Sequence, residues 1–155
     1  MEHLHKSDKT NDNYSTPPEV WENIKQYLPT NEGQVVWEPF FNTDSKSPCH
    51  LSALGCNVLY SNADFFASKP VIATHIVTNP PFSCKEKVFQ RLSQFDLPFI
   101  VILPQSVYPF QRSSLRLHFE KTDGKTGARK TVKRTPFDSI YACYRMDLPR
   151  DLIWL

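Results

Sequence analysis

Apolar positions along this chain follow two spacings in turn, one that lines a helix face and one that fills a buried strand. Val20, Trp21, Ile24, Tyr27 and Leu28 recur at helical steps, with Thr16 placed as N-cap, Pro17 and Pro18 in the first turn, Glu19 at the positive helix end and Pro29 as the stop. Gln34-Val35-Val36-Trp37-Glu38-Pro39 then reads as a short strand bounded by Gly33 and Pro39, running into the loop Phe40-Phe41-Asn42-Thr43-Asp44-Ser45. Ser47, Pro48 and Gly55 mark the cap, first turn and end of a second short helix. Asn57–Tyr60 and Ile72–Val77 read as strands, Lys85–Phe95 as a helix burying Val88, Phe89, Leu92 and Phe95, and Pro98–Pro104 as a wholly apolar central strand.

Strands alternating with helices predict an α/β domain with a mostly parallel sheet. The tail has a different character. Leu115–Phe119 and Ile140–Arg145 are alternating, β-rich runs with no convincing helix between them, which predicts an antiparallel pair. Between them Lys121, Lys125, Arg129, Lys130, Lys133 and Arg134 face one acid, Asp123, with Gly124 and Gly127 loosening the segment. This cluster reads either as a phosphate grip or as a solvated hairpin loop.

At 155 residues the chain is one domain, and a net charge of +2 confines any nucleic-acid contact to a local cluster. Residues 1–13 are polar, with His3 and His5 set among Lys6, Asp8, Lys9, Asn11 and Asp12, and read as a flexible leader rather than a metal site. Nothing approaches eighteen consecutive apolar residues, and the start lacks a signal-peptide core, so the expectation is a soluble intracellular protein with no membrane partner. Cys49, Cys56, Cys84 and Cys143 show no paired spacing and are expected as free thiols.

The chemistry centres on Asn79-Pro80-Pro81-Phe82, directly after the strand His75-Ile76-Val77-Thr78. Two prolines fix φ, remove donors and push Asn79 to an extended conformation, giving a stiff turn. The Asn79 carboxamide oxygen and the Pro80 carbonyl are then acceptors beside the flat face of Phe82, which suits an amino group on a planar ring.

This tetrapeptide resembles the Asp/Asn/Ser-Pro-Pro-aromatic signature of S-adenosylmethionine-dependent amino methyltransferases acting on adenine N6 or cytosine N4. The resemblance implies a Rossmann-like class I methyltransferase fold over residues 14–155, with a parallel sheet closed by a C-terminal antiparallel hairpin. It implies Asn79, Pro80, Pro81 and Phe82 as the catalytic residues and S-adenosylmethionine as the cofactor. In open parallel sheets ligands lie beyond the carboxyl ends of the strands, so those loops belong together. Glu38-Pro39-Phe40 resembles the family's segment around the methionine part of the cofactor. Asp64-Phe65 resembles the acidic-aromatic pair at its adenine, and Tyr14-Ser15-Thr16-Pro17 resembles the opening segment of phage-type adenine methyltransferases. Pro136-Phe137-Asp138-Ser139 resembles a segment entering the last hairpin of that type, where it helps form the base pocket.

One departure stands out: where the family has a glycine turn, this chain has Asn42-Thr43-Asp44-Ser45. Asn42 and Asp44 tolerate positive φ and either crowd the methionine pocket or replace a contact in it. The residues also have ordinary readings: Glu38 as a strand-end acid, Asp64 as a turn cap, and Phe40, Phe41, Phe65 and Phe66 as core. The motif order favours adenine, and the implied partner is nucleic acid, DNA before RNA, with the basic cluster on its phosphates and a protein partner for target recognition. The alternative is a catalytically silent methyltransferase-like subunit that binds nucleic acid or a partner.

Overall fold

Through residues 18–104 helices separate the strands except between Val58–Tyr60 and His75–Thr78, and beyond residue 104 the described elements are strands. The computed structural model describes residues 14–40, 46–61, 63–104, 113–115, 119–122, 129–132, 139–148 and 153–154. In order these form β1 (Tyr14–Ser15), α1 (Pro18–Glu22), β2 (Val36–Glu38), α2 (Ser47–Ala53), β3 (Val58–Tyr60), β4 (His75–Thr78), α3 (Lys85–Phe95) and β5 (Phe99–Pro104). They continue as β6 (Ser113–Leu115), β7 (Phe119–Thr122), β8 (Arg129–Val132), β9 (Ser139–Tyr144) and β10 (Ile153–Trp154).

The main sheet has seven strands in the order β10-β6-β9-β5-β4-β2-β3. β3, β2, β4 and β5 are parallel neighbours, β9 runs antiparallel to both β5 and β6, and β6 is parallel to β10. It follows that only β9 runs against the rest. The expected α/β class and mostly parallel sheet are therefore present, and the architecture is compatible with a Rossmann-like fold. The antiparallel closure differs from the expected hairpin. β9 does pair with β6, through Ser114↔Ile140 and Leu115↔Ser139, but its longer partner is β5, from Phe99↔Tyr144 to Pro104↔Ser139. The wholly apolar β5 thus has a neighbour on each side, β4 and the β9 strand of the antiparallel β6–β9 pair.

The basic segment is also corrected. Its described parts are strands, β7 and β8, paired antiparallel with Lys121 opposite Lys130 and Thr122 opposite Arg129. β1 joins their edge, Tyr14 opposite Lys121 and Ser15 opposite Glu120, to complete a separate three-stranded sheet. Residues 1–13, 123–128 and 133–138, with Lys125, Lys133, Arg134 and the Pro136–Asp138 segment, lie outside the described residues.

Two apolar layers sandwich the main sheet because strand side chains alternate between faces. Phe99, Val101 and Leu103 join Val88 and Leu92 of α3 in one layer, while Ile100 and Ile102 join Val20, Trp21 and Leu51 in the other. Burying each such side chain contributes about 1.5–3 kcal/mol. The Tyr141 hydroxyl crosses the second layer to donate to the Val20 carbonyl at 2.5 Å, tying α1 to β9.

Helix boundaries depart from expectation at three places. The first helix ends at Glu22 and continues as a 3-10 turn over Lys25–Tyr27, because Asn23 favours local bonding over helix propagation. Ile24 and Leu28, which flank the turn, stay buried. Thr16 is not a cap: Pro17 precedes α1 and no side chain caps it. Ser47 is likewise the first helical residue and buried, with Lys46 in the cap position. Gly55 does end α2, at φ +99, with its amide on the Ser52 carbonyl. All four cysteines are free thiols. Among the described residues no helix is long and apolar enough to cross a membrane.

Candidate active site

β2 and β4 are parallel neighbours and end on the same side of the sheet, Glu38 on one and Thr78 on the other. Both are removed from water, at 1% and 0% exposure. Glu38 Oε1 accepts a hydrogen bond from the Thr78 hydroxyl and another from the Phe40 amide at 3.1 Å. Burial dominates and raises the Glu38 carboxyl from 4.5 to about 7, against the lowering effect of both hydrogen bonds. Near neutral pH this group exists in both protonation states. It stitches together the strand end leading to the expected cofactor loop and the strand end leading to the proline turn.

Asn79 follows Thr78 directly. Its carboxamide Nδ2 donates to the Thr16 hydroxyl oxygen at 2.7 Å, and its Oδ1 is covered from solvent without a hydrogen-bond partner. Pro80 is buried, and Pro81 stands at φ −57, the value its ring imposes, and ψ 127. The turn then tightens into a 3-10 segment over Phe82–Cys84, with the Pro81 carbonyl accepting from the Cys84 amide at 3.3 Å. Phe82 is half-buried and packs on the apolar layer beneath α1.

The aromatic residues of the strand-end loops converge on the other layer. The Phe40 and Phe65 rings lie 4.7 Å apart, and Phe65 also meets Trp37 at 5.6 Å. Phe65 is a core residue at 3% exposure, whereas Phe40 is half-buried at the rim beside a buried Pro39. Asp64 is exposed and organises its own turn: Oδ1 accepts from the Phe66 amide at 2.9 Å, and its carbonyl accepts the Ser68 amide and hydroxyl. Asn42 and Asp44 lie outside the described residues.

The structure thus brings together Glu38, Thr78, Asn79 and Thr16, with Phe40 against Phe65 nearby, and leaves Asp64 at the surface. Tyr14 and Pro17 flank Thr16, the first in β1 and the second just before α1. Of the basic cluster, Lys121 stands in β7 and Arg129 and Lys130 in β8.

Thr78 carries no local signal of its role: the acid ending a buried parallel strand needs a donor, and Thr78 of the neighbouring strand supplies it. Thr16, within the opening segment that the resemblance singles out, caps no helix and accepts from Asn79 instead.

A cleft of about 260 Å³ lies at the opposite, amino end of the strands, between Gln26, Asn31 and Gln34, the start of β4 at His75, and Arg145 and Asp147 after β9. Compared with models of known protein families and with curated proteins, the chain matches none of them.

Proposed function

We propose that this chain transfers a methyl group from S-adenosylmethionine to the N6 amine of adenine in DNA, with RNA as the close variant. The observation that carries the reading is the Asn79 carboxamide, whose nitrogen is committed to Thr16 while its oxygen is buried and unmatched. A buried acceptor without a donor costs about 1–3 kcal/mol, a cost that an amino hydrogen of the substrate removes. The stiff turn at the mouth of a parallel sheet, and the reversed strand that closes that sheet, support the same reading as the resemblance of Asn79-Pro80-Pro81-Phe82 to amino methyltransferases.

An exocyclic amine is a poor nucleophile because its lone pair is delocalised into the ring. Two acceptors, Asn79 Oδ1 and the Pro80 carbonyl, hold its hydrogens so that the lone pair localises and faces the sulfonium methyl. The N–C bond forms as the C–S bond breaks, the sulfur keeps the electron pair as a neutral thioether, and the nitrogen releases a proton to water. The protein supplies position and acceptors rather than a covalent intermediate. By the resemblance Glu38, Pro39 and Phe40 would hold the methionine part of the cofactor, and Lys121 of β7 with Arg129 and Lys130 of β8 would contact phosphates. The covered Oδ1 requires the site to open as substrate enters, and flipping a base from a duplex costs a few kcal/mol more, so single strands are the easier substrate.

A second reading, a catalytically silent methyltransferase-like subunit, is favoured by the absence of glycine from the sequence Asn42-Thr43-Asp44-Ser45. Calorimetry with S-adenosylmethionine, followed by methyl transfer to adenine-containing single-stranded and duplex DNA and RNA, separates the two. The expected result is cofactor binding with transfer, and Asn79→Ala lowering kcat by about 100- to 1,000-fold while cofactor affinity stays nearly unchanged. Equal activity in Asn79→Ala overturns the role of Asn79, and cofactor or nucleic-acid binding without transfer by the wild type establishes the silent subunit.

A further inference from the structure

We infer that Thr16 is a positioning residue: its hydroxyl holds the plane of the Asn79 carboxamide by accepting from Nδ2, with the oxygen left to meet the substrate amine. The inference rests on the proposed role of Asn79. A carboxamide rotates broadly about its last bond, and its two ends are opposite in function, one an acceptor and the other a double donor. Presented the wrong way round, Asn79 would set its own N–H groups against those of an amine. The bond from Asn79 Nδ2 to Thr16 Oγ1, at 2.7 Å, engages the donor end and leaves Oδ1 for the substrate.

Thr16 is suited to this work because its backbone is held from both sides. Before it, Tyr14 and Ser15 are paired with Lys121 and Glu120 of β7. After it, Pro17, at φ −69, and Pro18 restrict the chain, and Pro18 opens α1. Val20 and Trp21 then anchor α1 in the core at 2% and 0% exposure. The hydroxyl is therefore mounted on fixed backbone 63 residues away in sequence from the group it orients. The same β1 strand makes Thr16 the direct covalent neighbour of the sheet that contains Lys121, Arg129 and Lys130, so the hairpin carrying the basic residues and the acceptor share one support.

Thr16→Val keeps the β-branched shape and removes the acceptor, and Thr16→Ser keeps the acceptor. The expected outcome for Thr16→Val is a fall in kcat of about 10- to 100-fold, with S-adenosylmethionine affinity within about twofold of wild type, and recovery of most of the rate in Thr16→Ser. The Asn79 side-chain NH2 signals, assigned in nitrogen-15 spectra by their loss in Asn79→Ala, report orientation whether or not methyl transfer occurs. In Thr16→Val they shift and exchange faster with water, and in Thr16→Ser they stay near their wild-type positions. Unchanged Asn79 signals in Thr16→Val, or a Thr16→Ser protein as impaired as Thr16→Val, overturns the inference. A wild type with protected Asn79 signals that depend on Thr16 but without transfer activity upholds the positioning role and sinks the proposed reaction alone.

Discussion

The two ends of the central sheet treat polar groups in opposite ways. At the amino end, Gln26, Asn31, Gln34, His75, Arg145 and Asp147 line an open cleft, and Arg145 pairs with Asp96 at 3.0 Å with both side chains more than half exposed. At the carboxyl end, Glu38 and Thr78 are sealed from water and the Asn79 oxygen is buried without a partner. A polar group left in water has given up nothing and implies no ligand. One taken out of water without full compensation has been made less stable, and folding tolerates that only where something else is gained. The unmatched Asn79 oxygen, next to the sealed Glu38–Thr78 pair, therefore marks the candidate site, while a cleft among the described residues lies at the other end.

If that contrast is real, removing the Glu38 charge should change stability more than any surface substitution. The folded-state value near 7 lies above the ordinary 4.5, so the folded protein holds the proton more tightly than the unfolded chain. Its contribution is then fully present below about pH 4.5 and is lost as pH rises through about 7, by on the order of 3 kcal/mol. Glu38→Gln, which has no charge to desolvate, is expected to lose this slope and to exceed wild type in stability at pH 8. Urea unfolding of both proteins at pH 5 and pH 8 measures it. Burial lowers the pKa of His75, and chiefly that of His50, giving the opposite slope below pH 6.5; both proteins share it, so it cancels in their difference. Identical slopes in the two proteins would falsify the buried-carboxylate account.

A buried polar group with its partner in place makes the control. Tyr141 is fully buried and donates to the Val20 carbonyl, and burial raises its phenol far above the working range, so it stays neutral throughout. Tyr141→Phe is expected to lower stability by about 1–2 kcal/mol by leaving that carbonyl unpaired. The loss should be the same at pH 5 and pH 8. A loss that grows with pH would mean that the slope at Glu38 belongs to the core in general and not to the strand ends.

Much of this frame was legible in the sequence, for reasons that separate local from distant causes. The α3 helix falls on the expected Lys85–Phe95, and β5 follows within a residue of its expected start, because each is set by its own apolar spacing and its own prolines. The proline turn was equally local. What escaped was relational. The Glu38–Thr78 and Thr16–Asn79 bonds join residues 40 and 63 positions apart, and no periodicity carries that information. β9 reads as a strand, but its place between β5 and β6 is decided by β5 needing a partner on its far side. The basic segment reads as a phosphate grip or a hairpin loop because its lysines, arginines and threonines carry little apolar signal, while its described parts are strands paired across the hairpin and with β1.

The smallest expected effect lies at the amino end, and it tests the contrast from the other side. Arg145 donates to Asp96, and its guanidinium also sits 5.2 Å from the Tyr144 ring, yet its side chain is 54% exposed and that of Asp96 67%. Water screens such a pair, and holding two long side chains in one geometry offsets most of the attraction. Arg145 also adopts φ 51, a left-handed conformation that costs any residue with a side chain about the same, so alanine neither relieves nor adds strain there. Arg145→Ala is therefore expected to change unfolding free energy by less than about 0.5 kcal/mol and to leave S-adenosylmethionine affinity untouched. Matched urea melts and cofactor titrations of this variant and Glu38→Gln make the comparison direct. A large effect at Arg145 on cofactor affinity would move the functional site to the cleft and remove the reason for placing it at Asn79.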